Sequence, residues 1–266
     1  AATVATVAMP QAEKLKYDPK LFSGAIAAGG TLGILIPPSV ILVIYAILAE
    51  QNIAKLFVAA IGPGLLAALG YMLAVAVWVR VSPNSAALAA RVPWGERLRM
   101  LGGTWPVLVI FAAVVGGIYS GIFTPSEAAA VGAAGTFVAA LFSGQMSWAT
   151  FSQSVYSTAA STAMIFMIVL GAGIYNSFLA LTQLPQETAA WVSMQDLSPW
   201  LVLVVVLVMY LAFGCIMDSL SMVLLTVPII YPIMVTLDFG MDLNDFGLWF
   251  GILVLIVVEV GLITPP

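Results

Sequence analysis

Two stretches of this chain repeat one pattern: Gly33-Ile34-Leu35-Ile36-Pro37-Pro38 and Gly261-Leu262-Ile263-Thr264-Pro265-Pro266. Each sets a glycine and a double proline inside a long apolar run. Proline has no N–H and its ring clashes with the turn before it, so a helix is expected to break there. Broken backbone in an apolar medium finds no water, and it is tolerated only where protein buries it or where it faces a cavity or an ion. The chemistry this offers is ion binding. Carbonyls ending a half-helix at Gly33 carry partial negative charge and suit Na⁺, while amides of a half-helix restarting near Pro38-Ser39 carry partial positive charge and suit a carboxylate. The same pairing is expected from Gly261 to Pro266, where Thr264 adds a hydroxyl. A hairpin tip at Asp218-Ser219, with Ser221, would supply further oxygens, and Asp218 would neutralise a cation at a depth where an unpaired carboxylate is costly. One sodium site is therefore expected near Gly30, Gly33, Ile36 and Pro38, mostly through carbonyls, and another near Asp218, Ser219, Gly261 and Thr264. Substrate contacts are expected at Ser39, Ser221, Thr264 and Pro265.

Other polar residues have structural roles open to them. Asp218 is also placed to cap the half-helix that follows, with Ser221 three residues on. Glu259 lies inside the last apolar segment, either as a proton or sodium ligand or paired with a polar group. Thr124-Pro125-Ser126-Glu127 has the form of a capping box with proline at the first helical position. Trp94, Trp105, Trp148 and Trp200 fall at segment ends, where amphipathic rings favour the membrane interface.

Composition fixes the solvent. Of 266 residues, 62% are hydrophobic and 8% charged, with a mean hydropathy of +1.12, far from the globular averages of about half apolar and a quarter charged. This is the signature of an all-α polytopic membrane protein. The net charge of −4 is spread over loops, which argues against nucleic-acid binding. With no histidine and one cysteine, Cys215, the usual zinc and transition-metal sites cannot be built, and no disulfide can close within the chain. Ser-His-Asp hydrolysis is excluded for the same reason, and no enzyme motif is present.

Apolar segments of membrane length fall at about 22–49, 56–79, 105–123, 127–143 and 151–181, followed by a pair at 199–214 and 220–232 and a last one from about 247. The second member of the pair is too short to span, because about 20 residues are needed, and it suits a re-entrant limb. All eight basic residues precede residue 100, and seven flank the first two crossings on one side, which puts 11–21 and 80–104 in the cytoplasm. Counting crossings onward, the first broken segment runs outward and the last runs inward. That is the inverted-repeat arrangement of a transporter whose site is built from broken helices at the repeat interface.

Four motifs in order make the resemblance specific: Ala27-Ala-Gly-Gly-Thr-Leu-Gly-Ile-Leu-Ile-Pro-Pro-Ser39, Gly116-Gly-Ile-Tyr-Ser-Gly-Ile-Phe-Thr-Pro-Ser-Glu-Ala-Ala-Ala130, Asp218-Ser-Leu-Ser-Met-Val-Leu-Leu-Thr-Val-Pro228 and Glu259-Val-Gly-Leu-Ile-Thr-Pro-Pro266. Together they resemble the large membrane subunit of tripartite ATP-independent periplasmic (TRAP) transporters, the DctM-like permeases, over essentially the whole chain. The resemblance implies sodium-coupled uptake of an organic anion, usually a carboxylate such as a C4-dicarboxylate or sugar acid. It implies delivery by a periplasmic solute-binding protein, a small membrane subunit that is separate or fused, and elevator motion in the bacterial inner membrane. No cofactor is implied beyond Na⁺ as coupling ion. A stand-alone sodium-coupled symporter of related fold is the alternative.

The expected organisation follows the segments. Residues 1–10 end a cytoplasmic re-entrant hairpin, and 11–49 form an arm and the first broken helix. A scaffold helix and cytoplasmic linker occupy 50–104, scaffold helices of the second repeat 105–150, and a transmembrane helix and arm 151–197. The second re-entrant hairpin covers 198–232 and the second broken helix 233–266. The chain reads as an excerpt lacking family segments at both ends.

Overall fold

In a computed structural model, the residues described are 5, 8–10, 12, 14, 17–85, 93–144, 146–195 and 197–264. They are overwhelmingly helical, with no strand among them. Among the described residues five helical stretches, one of them the run Trp94–Tyr119, are long and apolar enough to cross a membrane, and a bent pair makes a sixth candidate span. An all-α polytopic membrane protein is the result, as composition requires.

The helices start where the sequence places caps. Helix α1 (Pro19–Leu35) opens on Asp18, whose carboxylate accepts from Lys20 N at 2.8 Å, with Pro19 at the first position. It is followed by α2 (Val40–Leu48), bent 44° from it, and the double proline lies in the break. Asn52 caps the 29-residue α3 (Ile53–Val81) by accepting from Lys55 N at 3.0 Å. Next come α4 (Trp94–Leu101), the 3₁₀ turn Gly102–Thr104 and α5 (Trp105–Tyr119). The capping box of α6 (Pro125–Phe142) is complete: Glu127 accepts from Thr124 N at 2.7 Å, and Thr124 Oγ1 accepts from Glu127 N at 3.3 Å. Then follow α7 (Trp148–Thr182), α8 (Leu184–Met194), α9 (Pro199–Gly214), α10 (Ser219–Met234) and α11 (Leu243–Ile263). Trp94, Trp105 and Trp148 each begin a helix and Trp200 is second in its own. All four are exposed, as interfacial anchors should be.

The chain divides into two units, residues 1–87 with 168–266, and residues 88–167. In the second, α5 packs along α6, and glycines on α6 admit side chains from α5. A Cβ on Gly132 or Gly135 would lie 3.2 Å from Val114 or 3.1 Å from Ile110.

In the first unit α11 is the central element, touching α1, α2, α3, α9 and α10. Phe250, Val254, Leu255 and Val258 are fully buried on it. Lipid tails are as apolar as leucine, so helices in a membrane associate through close packing rather than through the hydrophobic effect, and small residues permit it. Gly251 leaves room for the Tyr45 ring, and Gly247 for Gln51 and Tyr231. The Tyr45 hydroxyl, wholly buried, donates to Gly247 O at 2.7 Å. Such pairing is what allows a tyrosine to be buried. Tyr210 is satisfied similarly, accepting from Thr226 Oγ1 at 2.8 Å.

Candidate ion and substrate site

The first break is built by proline. Ile36 precedes Pro37, so its backbone is pushed into the extended region (φ −88°, ψ 118°), and α1 stops at Leu35. The half-helix thus ends two residues beyond Gly33, where the sequence pattern had set it. The reason is that helix ends are fixed by the first residue unable to continue, not by the glycine. Ile36 N still donates to Leu32 O at 3.0 Å. The next two helical donors would be the nitrogens of Pro37 and Pro38, which have no hydrogen, so the carbonyls of Gly33 and Ile34 are the ones set free. Gly30 lies in the body of α1, its carbonyl within reach of the helix ladder, and Pro38 lies outside the helix. The peptide joining Pro37 and Pro38 is cis.

Ser39 then opens α2. It is buried, and its Oγ accepts from Leu42 N at 3.4 Å. The amides of Val40 and Ile41 belong to the first turn, where a helix has no acceptors of its own. Free carbonyls and free amides therefore flank one break, as the sequence chemistry expects.

The second motif ends its helix in the same way. Thr264, which also precedes a proline, is extended (φ −77°, ψ 123°) and closes α11 by donating its N–H to Val260 O and Gly261 O, both at 3.1 Å. Its hydroxyl donates to Val260 O at 2.7 Å. Pro265 lies outside the described residues.

At the head of α10, Asp218 acts as N-cap. Its Oδ2 accepts from Ser221 N at 3.0 Å and its Oδ1 accepts from the Ser221 hydroxyl. Asp218 is exposed and Ser219 is buried. The one buried carboxylate among the described residues is Glu259, 1% exposed. Asp218 sits on the surface because the turn Cys215–Asp218 that carries it links two 16-residue helices at their ends.

One contact joins the two helices that carry the members of the second expected site. A Cβ on Gly261 would fall 2.8 Å from Gly214 Cα and 2.9 Å from Leu211 O, so α9 and α11 touch backbone to backbone. Gly214 is the last residue of α9, four before Asp218, and Gly261 is three before Thr264. The last turn of α9 and the last turn of α11 are therefore brought together through two glycines. Around Gly33 the picture is different, since a Cβ there meets nothing within 4 Å.

Sequence reasoning passed over three residues that the structure brings forward. Gly214 is one. Asn176 of α7 is another: its Nδ2 donates to Leu224 O at 3.3 Å. Leu224 is four residues before Pro228, so its carbonyl is the one that this proline leaves without a helical donor, and the signal was readable as a Pro inside an apolar helix. The third is Thr31. Counting back two residues from each motif glycine gives Thr31 and Glu259, and these counterparts lie side by side between α1 and α11. They are not hydrogen bonded: Thr31 Oγ1 donates to Ala28 O at 2.9 Å, and both Glu259 oxygens lack a partner.

Residues 1–266 match the family described as "Tripartite ATP-independent periplasmic transporter, DctM component". The chain belongs to the DctM family. It is 35% identical over its whole length to the C4-dicarboxylate TRAP transporter large permease protein DctM of Pseudomonas aeruginosa, covering 60% of that protein. It is 30% identical over its whole length to the 2,3-diketo-L-gulonate TRAP transporter large permease protein YiaN of Escherichia coli, covering 61%. Over 94% of its length it is 29% identical to the sialic acid TRAP transporter permease protein SiaT of Haemophilus influenzae, covering 39%. The chain thus spans about three-fifths of the length of the DctM and YiaN relatives. These relatives are permeases, not enzymes, and the DctM chain is with them a multi-pass protein of the inner membrane.

Proposed function

We propose that this DctM-family chain is the translocating subunit of a sodium-coupled uptake system for an organic carboxylate. Substrate is handed over by a periplasmic solute-binding protein, and a small membrane subunit, separate or fused, completes the complex. The observation that carries the reading is the correspondence of the two helix ends. Ile36 and Thr264, at equal distance from their motif glycines, share one extended backbone geometry. Their counterparts Thr31 and Glu259 adjoin each other. In a two-fold arrangement a residue meets its own counterpart only at the axis, so this contact supports two repeats related by an axis between α1 and α11. Transporters built this way bind at the repeat interface and rock or slide one bundle around the site.

The chemistry fits the cargo. Carbonyls of Gly33 and Ile34 supply neutral oxygens for Na⁺, joined at the second end by Ser219, Gly261 and Thr264. The Ser39-capped start of α2 and the Asp218-capped start of α10 supply amides for a carboxylate, with the hydroxyls of Ser39, Ser221 and Thr264, and Pro265 beside them. The relatives are named for C4-dicarboxylates, a diketo-gulonate and sialic acid, all of which carry a carboxylate. That shared group is what a helix N-terminus recognises.

The test uses the full-length protein with its membrane partner in proteoliposomes and a radiolabelled carboxylate. Uptake is expected only with the binding protein outside and an inward Na⁺ gradient. Uptake that persists when K⁺ replaces Na⁺ would remove the coupling ion from the mechanism, and uptake without the binding protein would make this a stand-alone symporter. Asp218 separates charge from capping, because asparagine caps as well as aspartate. Asp218→Asn is expected to keep the fold and weaken Na⁺ dependence, whereas Asp218→Ala loses the cap as well. If the Asn variant transports like wild type, Asp218 is a cap alone.

A further inference from the structure

Glu259 is the one buried carboxylate among the described residues, and neither of its oxygens has a hydrogen-bond partner. An ionised carboxylate at that depth needs a compensating positive charge. Among the described residues none is paired with it. All eight basic residues precede residue 100. Of the helices packed on α11, only α1 and α3 carry any: Lys20 in the first turn of α1, and Lys55 and Arg80 near the two ends of α3. None of these pairs with Glu259. The other titratable groups on those helices are Tyr71 on α3, Cys215 after α9, and Tyr45, Tyr210 and Tyr231. Tyr45 donates to Gly247, Tyr210 accepts from Thr226, and Tyr231 accepts from Gln51.

What faces the carboxyl is Thr31. Its hydroxyl hydrogen is donated to Ala28 O at 2.9 Å, which leaves the lone pairs of that oxygen available to a ligand beside Glu259. A carboxylate and a hydroxyl oxygen without hydrogens to offer form an all-oxygen donor set, which suits a hard cation. Thr31 is two residues from Gly33 and three from Ile34, the carbonyls freed by the double proline. Those carbonyls are neutral, and Asp218 is exposed and already engaged as a cap. The coupling-ion sites as expected from sequence therefore contain no buried anion.

We propose that Glu259 is the buried anionic ligand of the coupling cation, holding Na⁺ together with Thr31 at the contact between the two repeat counterparts. This rests on the sodium-coupled reading above and adds a buried charge to it. A single carboxylate on the axis would serve both broken segments, which explains how two breaks with only one buried acid between them share an ion-binding role.

The experiment is a binding measurement that requires no transport. The full-length protein is purified in detergent, and its thermal unfolding is followed while NaCl replaces KCl at constant ionic strength. Wild type is expected to gain stability with Na⁺. Glu259→Gln is expected to fold, to be no less stable in KCl, since a neutral amide is cheaper to bury, and to need about tenfold or more Na⁺ for half of the wild-type shift. Should the Gln variant not fold, Thr31→Val, which removes only the hydroxyl, is expected to raise the half-saturating Na⁺ several-fold. An unchanged Na⁺ titration in Glu259→Gln, or in Thr31→Val where Gln does not fold, overturns the assignment and leaves sodium coupling standing. A wild-type protein indifferent to Na⁺ overturns both. If wild-type stability instead follows pH and Na⁺ is inert, the carboxyl holds a proton and the Na⁺ assignment falls.

Discussion

Gly33 and Gly261 are the same letter in the same motif, and their replacement by alanine should have opposite effects. At position 261 the new Cβ would sit 2.8 Å from Gly214 Cα, 2.9 Å from Leu211 O and 3.3 Å from Gly214 C. Carbon atoms pack at about 3.5–4.0 Å, so α9 and α11 must part by about 1 Å. The obstructing atoms are backbone and cannot rotate aside. Overpacking of this kind costs about 1–3 kcal/mol, while the better helix propensity of alanine returns up to about 1 kcal/mol. The net expectation for Gly261→Ala is a loss of roughly 1–2 kcal/mol. At position 33 nothing lies within 4 Å of the new methyl, so only the propensity gain, about 0.5–1 kcal/mol, should appear. The assay is thermal unfolding of the full-length protein in detergent, with wild type and both variants run together. Gly261→Ala should unfold a few degrees earlier and Gly33→Ala at or slightly above wild type. If Gly261→Ala matches wild type, or if both variants fall equally, close packing is not what Gly261 provides.

Two further expectations concern polar groups that hold helices rather than ions. Asn176→Leu should destabilise by about 0.5–1.5 kcal/mol through loss of the bond to Leu224 O, and Pro228→Ala should abolish most of that cost, because alanine restores the N–H that Leu224 O lacks; a double-mutant cycle with no coupling would sink this account. Glu127→Ala should fray the start of α6 and speed amide exchange at residue 124 and residues 126–128 while leaving Na⁺ dependence unchanged. Glu127→Gln should behave nearly as wild type, since its amide oxygen can still accept from Thr124 N.

The legible parts of this molecule are those that depend on local covalent chemistry. Proline fixes where α1 and α11 stop, and Thr124 with Glu127 fixes where α6 starts. Runs of apolar residues gave the membrane segments to within a few residues of their helices. What escaped depended on tertiary contact. Gly214 reads as any glycine near a turn until α11 is laid against it. Asn176 is 48 residues from the carbonyl it serves, and Asp218 could be read with equal justice as a deep ligand or a cap. The bonds to Ser221 show the cap, while burial, which bears on the ligand role, cannot be read from a sequence in which nearly every neighbour is apolar. In a soluble protein a lone acid amid valines stands out as a core residue. Here valines line lipid and core alike, so Glu259 gave no sign of which it faced.

The repeated motif shows how a sequence can preserve a backbone device while freeing its side chains for other work. Pro37 and the proline following Thr264 impose one extended residue at each break, and any side chain can occupy it. In one half that residue is Ile36, which is exposed and places a side-chain carbon 3.3 Å from where a Cβ on Gly64 would be. In the other it is Thr264, whose hydroxyl turns back to Val260 O. Two residues before each glycine the divergence is greater, threonine against glutamate. Where counterparts touch, two identical acids would repel and two threonines would leave no charge. An asymmetric pair gives the all-oxygen pair a single negative charge, the one that the proposed monovalent cation would balance. On the proposed assignment, the departure from internal symmetry at Thr31 and Glu259 places a single negative charge where the two halves meet.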